Sequence, residues 1–210
     1  MEKIEILFKI IEMTIAVIGL VLVVFGWIVP YKNSIKMEKL RIQHENEIES
    51  LRWKKDLLDK QISQLYGPIF SILAEADISF ERILFQLGRR HIFPKDKGFN
   101  DLPEHEQQIW KHYVDTYKIK SQMKIVEIMR DNIHLIYKSE IPTCYKVFLD
   151  YALGWGLLDS QKRNNVPNFY EYHYSYNYPI EFSNYIRTTL KILQAEQYNL
   201  EKQLETISLN

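Results

Sequence analysis

The residues that most often build redox, metal or catalytic centres are scarce in this chain. A single cysteine, Cys144, occurs in 210 residues, which excludes an internal disulfide and a multi-cysteine metal centre and accords with a reducing compartment. There is no GxSxG, no glycine-rich phosphate loop, no HExxH and no Cys–His pair at zinc spacing. The sequence therefore points away from an enzyme and implies no cofactor. An excess of either charge is also missing, with 27 Lys+Arg against 27 Asp+Glu. That balance argues against a general nucleic-acid coat, which needs a basic surface. Seven glycines and seven prolines punctuate the chain, without a low-complexity linker or an internal repeat.

The six histidines are scattered. His105 and His112 lie seven apart with Glu104, Glu106 and Asp115 nearby. A metal site is one reading, and a solvated polar face is favoured by the usual exposure of these residue types. His134, between Ile133 and Leu135, is expected to be a hydrogen-bonded core histidine. Cys144 is expected to be a core thiol, since no base is placed beside it in sequence to activate it.

What the chain does have is one long apolar run. Residues 10–29 are long enough as a helix to cross the roughly 30 Å hydrocarbon core of a bilayer, and 13–29 contain no charged side chain. Trp27 and Tyr31 fall where an interfacial aromatic belt belongs, and Pro30 ends the run. A signal peptide fits poorly, because Glu2, Glu5 and Glu12 occupy its basic region and no small-x-small cleavage site follows. A buried helix of a soluble protein is the other alternative. The reading adopted is a transmembrane anchor. Lys32, Lys36, Lys39 and Arg41 follow it, whereas Lys3 and Lys9 precede it among three glutamates. The bias predicts that the C-terminal part is cytoplasmic.

Glu12, Gly19 and Gly26 are spaced by seven, with Ala16 three before Gly19. They form one stripe of small residues with a carboxylate near its outer end. Such a stripe lets membrane helices approach closely, predicting self-association. Glu12 either snorkels to the headgroups or forms a cation-favouring ring at the mouth of an oligomeric pore.

The expected fold class is all-α: a transmembrane anchor over 1–31, a juxtamembrane stalk helix over 32–66 and a cytosolic helical bundle over 67–210. In the stalk, Met37, Arg41, His44, Ile48, Leu51, Lys55, Leu58, Ile62 and Leu65 follow a heptad seam. The seam is apolar only in its second half, so a parallel coiled coil and a helix packed on its own domain both remain open. Gly67 is expected to stop this helix and Pro68 to start the next, which carries Ile69, Ile72, Leu73, Phe80 and Leu84 and stops at Gly88. A third helix is expected from Asp101, capped by it with Glu104, bending or breaking once before Pro142. A fourth opens at Pro142 and loosens at Gly154 and Gly156. Residues 161–179 read as a loop in which Tyr170, Tyr172, Tyr174, Tyr176 and Tyr178 would share one face if extended. A last helix spans 180 to about 207.

Gln64-Leu65-Tyr66-Gly67-Pro68, Asn132-Ile133-His134-Leu135-Ile136 with Pro142, and Tyr178-Pro179 resemble the landmarks of a loose group of bacterial single-pass membrane-anchored helical proteins. The resemblance covers most of the part after the anchor and implies an architecture, at the bacterial cytoplasmic membrane, without a chemistry. In layout the chain is similar to small anchor-plus-sensor effectors of antiphage defence that respond to nucleotide signals.

Binding is the function class that the residues favour. Arg89, Arg90, His91, Lys95 and Lys97 form one cationic cluster, Lys162 and Arg163 a second, and Lys118, Lys120 and Lys124 a third. Phe93, Phe169, Tyr172 and Tyr174 are close to these charges in sequence. A cation beside an aromatic face suits a nucleotide or short oligonucleotide. Solvated loops, contacts with anionic headgroups and a protein interface rich in Tyr and Arg are the alternatives. Two roles follow. One is an oligomeric membrane effector, in its sharper form a pore, gated by a nucleotide-type ligand. The other is a membrane-tethered scaffold recruiting a cytosolic protein through its tyrosine row and last helix.

Overall fold

The computed structural model describes residues 2–93, 98–166 and 178–208. They are mostly helical, with no strand among them. The α-helices are α1 (Glu2–Lys60), α2 (Gly67–Gln86), α3 (Glu104–Tyr113), α4 (Ile119–Asp131), α5 (Thr143–Arg163) and α6 (Ile180–Ser208). Two π-helical segments, Gln61–Tyr66 and Val114–Lys118, join α1 to α2 and α3 to α4. The chain divides into two compact units, Met1–Trp53 and Lys54–Asn210.

The first unit is helix alone. Pro30 does not interrupt α1, which has no break between the expected anchor and stalk. None of its most apolar stretch is buried, and it is the one helix among the described residues long and apolar enough to cross a membrane. Trp27 is 80% exposed and Leu20 69%. Further along, Arg41 pairs with Glu38 at 2.9 Å and lies 3.6 Å from Glu45, ordinary one-turn neighbours.

In the second unit the apolar positions face inward at helical spacing. Ile69, Ile72 and Leu73 of α2, Ile125 and Met129 of α4, Phe148 and Ala152 of α5, and Phe182, Ile186 and Leu193 of α6 form the main core. α2 packs on α4 and α6, and α5 packs on α4 and α6. The rings of Phe148 and Phe182 stack at 4.0 Å, both fully buried. A second core, built around Trp110, Tyr113, Val114, Tyr151 and Trp155, lies where α3, the Val114–Lys118 segment and α5 meet.

Gly88 ends α2 as expected. Its φ of +64° lets Arg89 N–H reach the Leu84 carbonyl at 3.1 Å, a left-handed close that glycine makes without steric penalty. Four other expectations are corrected. Gly67 does not stop a helix: its backbone is right-handed helical, and α2 begins on it directly after the π-helical segment. Asp101 does not cap α3, whose N-cap is Pro103; its Oδ2 instead accepts the Gly98 N–H at 2.8 Å, closing a short turn. α5 continues through Gly154 and Gly156 to Arg163, so Gln161, Lys162 and Arg163 are helical rather than part of a loop. His134 lies exposed on a 3-10 turn, because Leu135 and Ile136 supply the buried contacts there. Cys144 is half-buried against the main core, where burial pushes its thiol up.

The Gln61–Tyr66 segment ties distant parts of the chain together. Gln61, itself buried, donates from Nε2 to the Leu135 carbonyl at 3.0 Å. Tyr66, fully buried, accepts the Tyr137 N–H on its hydroxyl at 3.0 Å. The Gln64–Pro68 and Asn132–Ile136 landmarks are thereby brought side by side. Tyr66→Phe removes that acceptor and leaves a covered N–H unsatisfied, which costs about 1–3 kcal/mol. Denaturant unfolding of this variant is expected to show a lower midpoint with an unchanged slope.

Candidate functional site

The cationic clusters do not assemble into one site. Arg89 is half-buried and paired with Glu106 of α3. Arg90 and His91 are exposed. Lys162 Nζ meets Asp115 at 2.7 Å, and Arg163 pairs with Asp159 one turn before it. Three of these five cations are thus held by carboxylates, which weakens the case for them as anchors of an incoming anion. Lys95, Lys97, Phe169, Tyr172 and Tyr174, with the rest of the tyrosine row up to Tyr176, lie outside the described residues. His105, His112 and their acidic neighbours do not converge: no metal-holding cluster occurs among the described residues. In the first unit, Ala16, Gly19 and Gly26 are exposed, and a Cβ added at either glycine would meet nothing within 4 Å. Those glycines are therefore not required by packing within the chain. The side chain of Glu12 lies outside the described set.

The third cluster gives one residue of a different kind. Lys120 and Lys124 are exposed, but Lys118 turns inward. The π-helical segment Val114–Lys118 adds a residue to the turn, and such segments often occur at functional sites. Lys118 Nζ sits 3.8 Å from the Trp155 ring centre, 5.1 Å from Trp110 and 5.6 Å from Tyr151. Three ring faces surround one ammonium, and each attracts it electrostatically. Lys118 has no carboxylate partner among the described residues. Burial brings its pKa down to about 7, because water is stripped from the charged form. Burial also raises the hydroxyls of Tyr113 and Tyr151 to about 12, keeping both neutral.

Lys118 lines a cavity of about 790 Å³, within the size range of small-molecule sites. Its walls come from α2, α4, α5, the start of α6 and the Trp110–Lys118 stretch. Phe80, Trp110, Tyr113 and Tyr151 contribute ring faces and Ile72, Leu73 and Ile125 aliphatic ones, with Glu75, Asp77, Gln122, Ser183 and Arg187 among the polar groups. Arg187 is paired with Asp77 across α6 and α2. Two covered polar atoms beside the cavity, Trp110 Nε1 and Gln122 Oε1, find no hydrogen-bond partner among the described residues, an unusual feature for a wall built for packing alone. A second, more open cavity of about 610 Å³ adjoins it, lined in part by Arg82, His105 and His112.

Comparison of the chain with protein-family models, with curated proteins and with solved structures finds no match. The cavity residues were missed in sequence because Trp110, Tyr113, Phe148 and Tyr151 recur at helical spacing and read as ordinary core. The available signal was Lys118, a cation one turn before Gln122 on an otherwise inward-facing helical stripe.

Proposed function

We propose that the chain is a single-pass membrane protein in which a cytoplasmic helical bundle takes up a small ligand and thereby changes the association of its membrane helices. The uncovered apolar stretch of α1 carries this reading. A core helix of a soluble domain would be covered by its neighbours, whereas here none of the stretch is buried. The basic flank from Lys32 to Arg41 favours a cytoplasmic C-terminal part. The open stripe of Ala16, Gly19 and Gly26 supplies the self-association face, with Glu12 at the mouth of a pore if one forms. The aromatic cavity supplies a place for the ligand. The layout resemblance makes a membrane-permeabilising effector, of the kind used in antiphage defence, the working role.

The test is native mass spectrometry of the full-length protein from lipid nanodiscs, alongside membrane potential in expressing cells. A closed oligomer and depolarisation are expected. Gly19→Leu combined with Gly26→Leu should convert the oligomer to monomer and abolish depolarisation, and Glu12→Gln should alter ion leakage. A monomeric wild type without depolarisation removes the effector reading. A second reading, the tethered scaffold, is favoured by exposed apolar side chains on α5, where Val147, Leu153 and Leu157 are each at least half exposed. It expects a cytosolic protein to be retained by the wild type and lost when these three residues become serine.

A further inference from the structure

We infer that the two adjoining cavities act as one bipartite site for an anionic planar heteroaromatic molecule of the nucleotide class. Its ring enters the aromatic cavity and its anion is held at Arg82. The inference rests on the reading that this domain takes up a ligand, and adds the ligand's chemistry and the residue that anchors it.

Ser79, Arg82, Tyr113 and Tyr117 line both cavities, so the two meet along a shared wall. The outer cavity has Arg82, His105 and His112 and no carboxylate among its described lining residues. Arg82 is the one formally charged side chain among those described lining residues, a positive charge held open toward solvent. Arg82 has no ion pair or hydrogen bond among the described residues. Arg89, Arg163 and Arg187, by contrast, are each paired with a carboxylate. An unpaired guanidinium at the junction presents a fork of donors that matches a phosphate or carboxylate.

The inner cavity decides what the anion is attached to. An acyl chain is best served by aliphatic walls without polar groups. Here ring faces and aliphatic side chains such as Ile72 and Ile125 are interrupted by Gln122, Ser183 and Asn184 and by the carboxylate of Glu75; polar groups set among rings suit a flat ring with hydrogen-bonding edges better than an acyl chain. The anchoring role thus falls on Arg82 rather than on Arg89 or Arg163.

The test is calorimetric titration of the full-length protein in nanodiscs with adenosine monophosphate, adenosine, inorganic phosphate and palmitate. Adenosine monophosphate is expected to bind at least about tenfold more tightly than adenosine or phosphate, in line with one charge-assisted contact. Arg82→Ala and Arg82→Gln, both at an exposed position on α2, should erase that advantage while leaving the affinity for adenosine unchanged. Arg90→Ala should have no effect. Equal affinity for adenosine and its monophosphate, tighter binding of palmitate, indifference to both Arg82 variants, or no binding of the monophosphate each overturns the inference. None of these results touches the oligomer or the depolarisation, on which the membrane-effector reading stands or falls by itself.

Discussion

Replacing Gly67 by alanine is expected to lower the melting temperature of the full-length protein by roughly 6–12 °C, from a loss of about 3 kcal/mol. The same change at an exposed position in an ordinary helix would stabilise by about 0.5–1 kcal/mol, since alanine loses less backbone entropy. The sign reverses because of the π-helical segment before it. Gly67 N–H donates to the Ile62 carbonyl five residues back, and an added Cβ would stand 2.5 Å from that same oxygen. Backbone φ is −64°, so glycine is needed for space and not for a left-handed conformation. The obstructing atom belongs to the main chain, and the segment is pinned through Gln61 and Tyr66 to Leu135 and Tyr137. No side chain can swing away to relieve the contact. Thermal unfolding followed by circular dichroism checks the prediction, and an unchanged or raised midpoint would show that the chain reverts to a regular α-helical turn at little cost.

Gly67 also illustrates what could be read from sequence. Its position between apolar helical stripes marked a junction, and the stripes themselves were legible: Ile69, Ile72 and Leu73 on α2, with Phe182, Ile186 and Leu193 on α6, are all buried. A period of 3.6 survives into the folded state because each helix must cover one face. The kind of junction was not legible. A π-helical turn changes hydrogen-bond register by one residue while leaving the apolar pattern almost intact, so Gly-Pro suggested a stop where the helix continues. Boundaries set by local hydrogen bonds were missed similarly, as at Asp101, whose carboxylate serves the turn at Gly98 rather than α3.

Charges were the least legible feature. Arg89 and Lys162 looked like free cations because sequence does not show their partners; Lys162 finds Asp115 across 47 residues, whereas Arg163 has Asp159 one turn before it and was missed because the segment read as a loop. The candidate site depends on just that long-range information. Lys118 was grouped with Lys120 and Lys124 by spacing, yet α4 and its π-helical start point the latter two outward and the first among rings. Trp155 and Tyr151 reach Lys118 only because α5 packs on α4.

Lys118→Met is expected to raise stability most at pH 6 and progressively less at pH 9. In the folded protein burial lowers the pKa of Lys118 from 10.5 to about 7. Between those values the unfolded chain binds more protons at this position than the folded one, so stability rises with pH. The penalty for burying the ammonium is therefore full below about pH 7, shrinks between 7 and 10.5, and is gone above that. Its size is on the order of a few kcal/mol, since the aromatic faces return part of the lost hydration. Methionine keeps the unbranched stem and fills the same space against Trp110 and Trp155 without a charge. Melting temperatures of the wild type and variant across pH 6–9 should converge as pH rises; a gap independent of pH would mean that Lys118 stays charged within its ring of aromatics. A destabilised variant at pH 6 would go further and show that the cation–ring attraction exceeds the cost of desolvation. The same group then has a consequence for binding. A lysine poised near neutrality inside the cavity takes a proton more readily when an anion enters, so a ligand of the proposed class should be accompanied by proton uptake, measurable as a buffer-dependent heat that Lys118→Met removes.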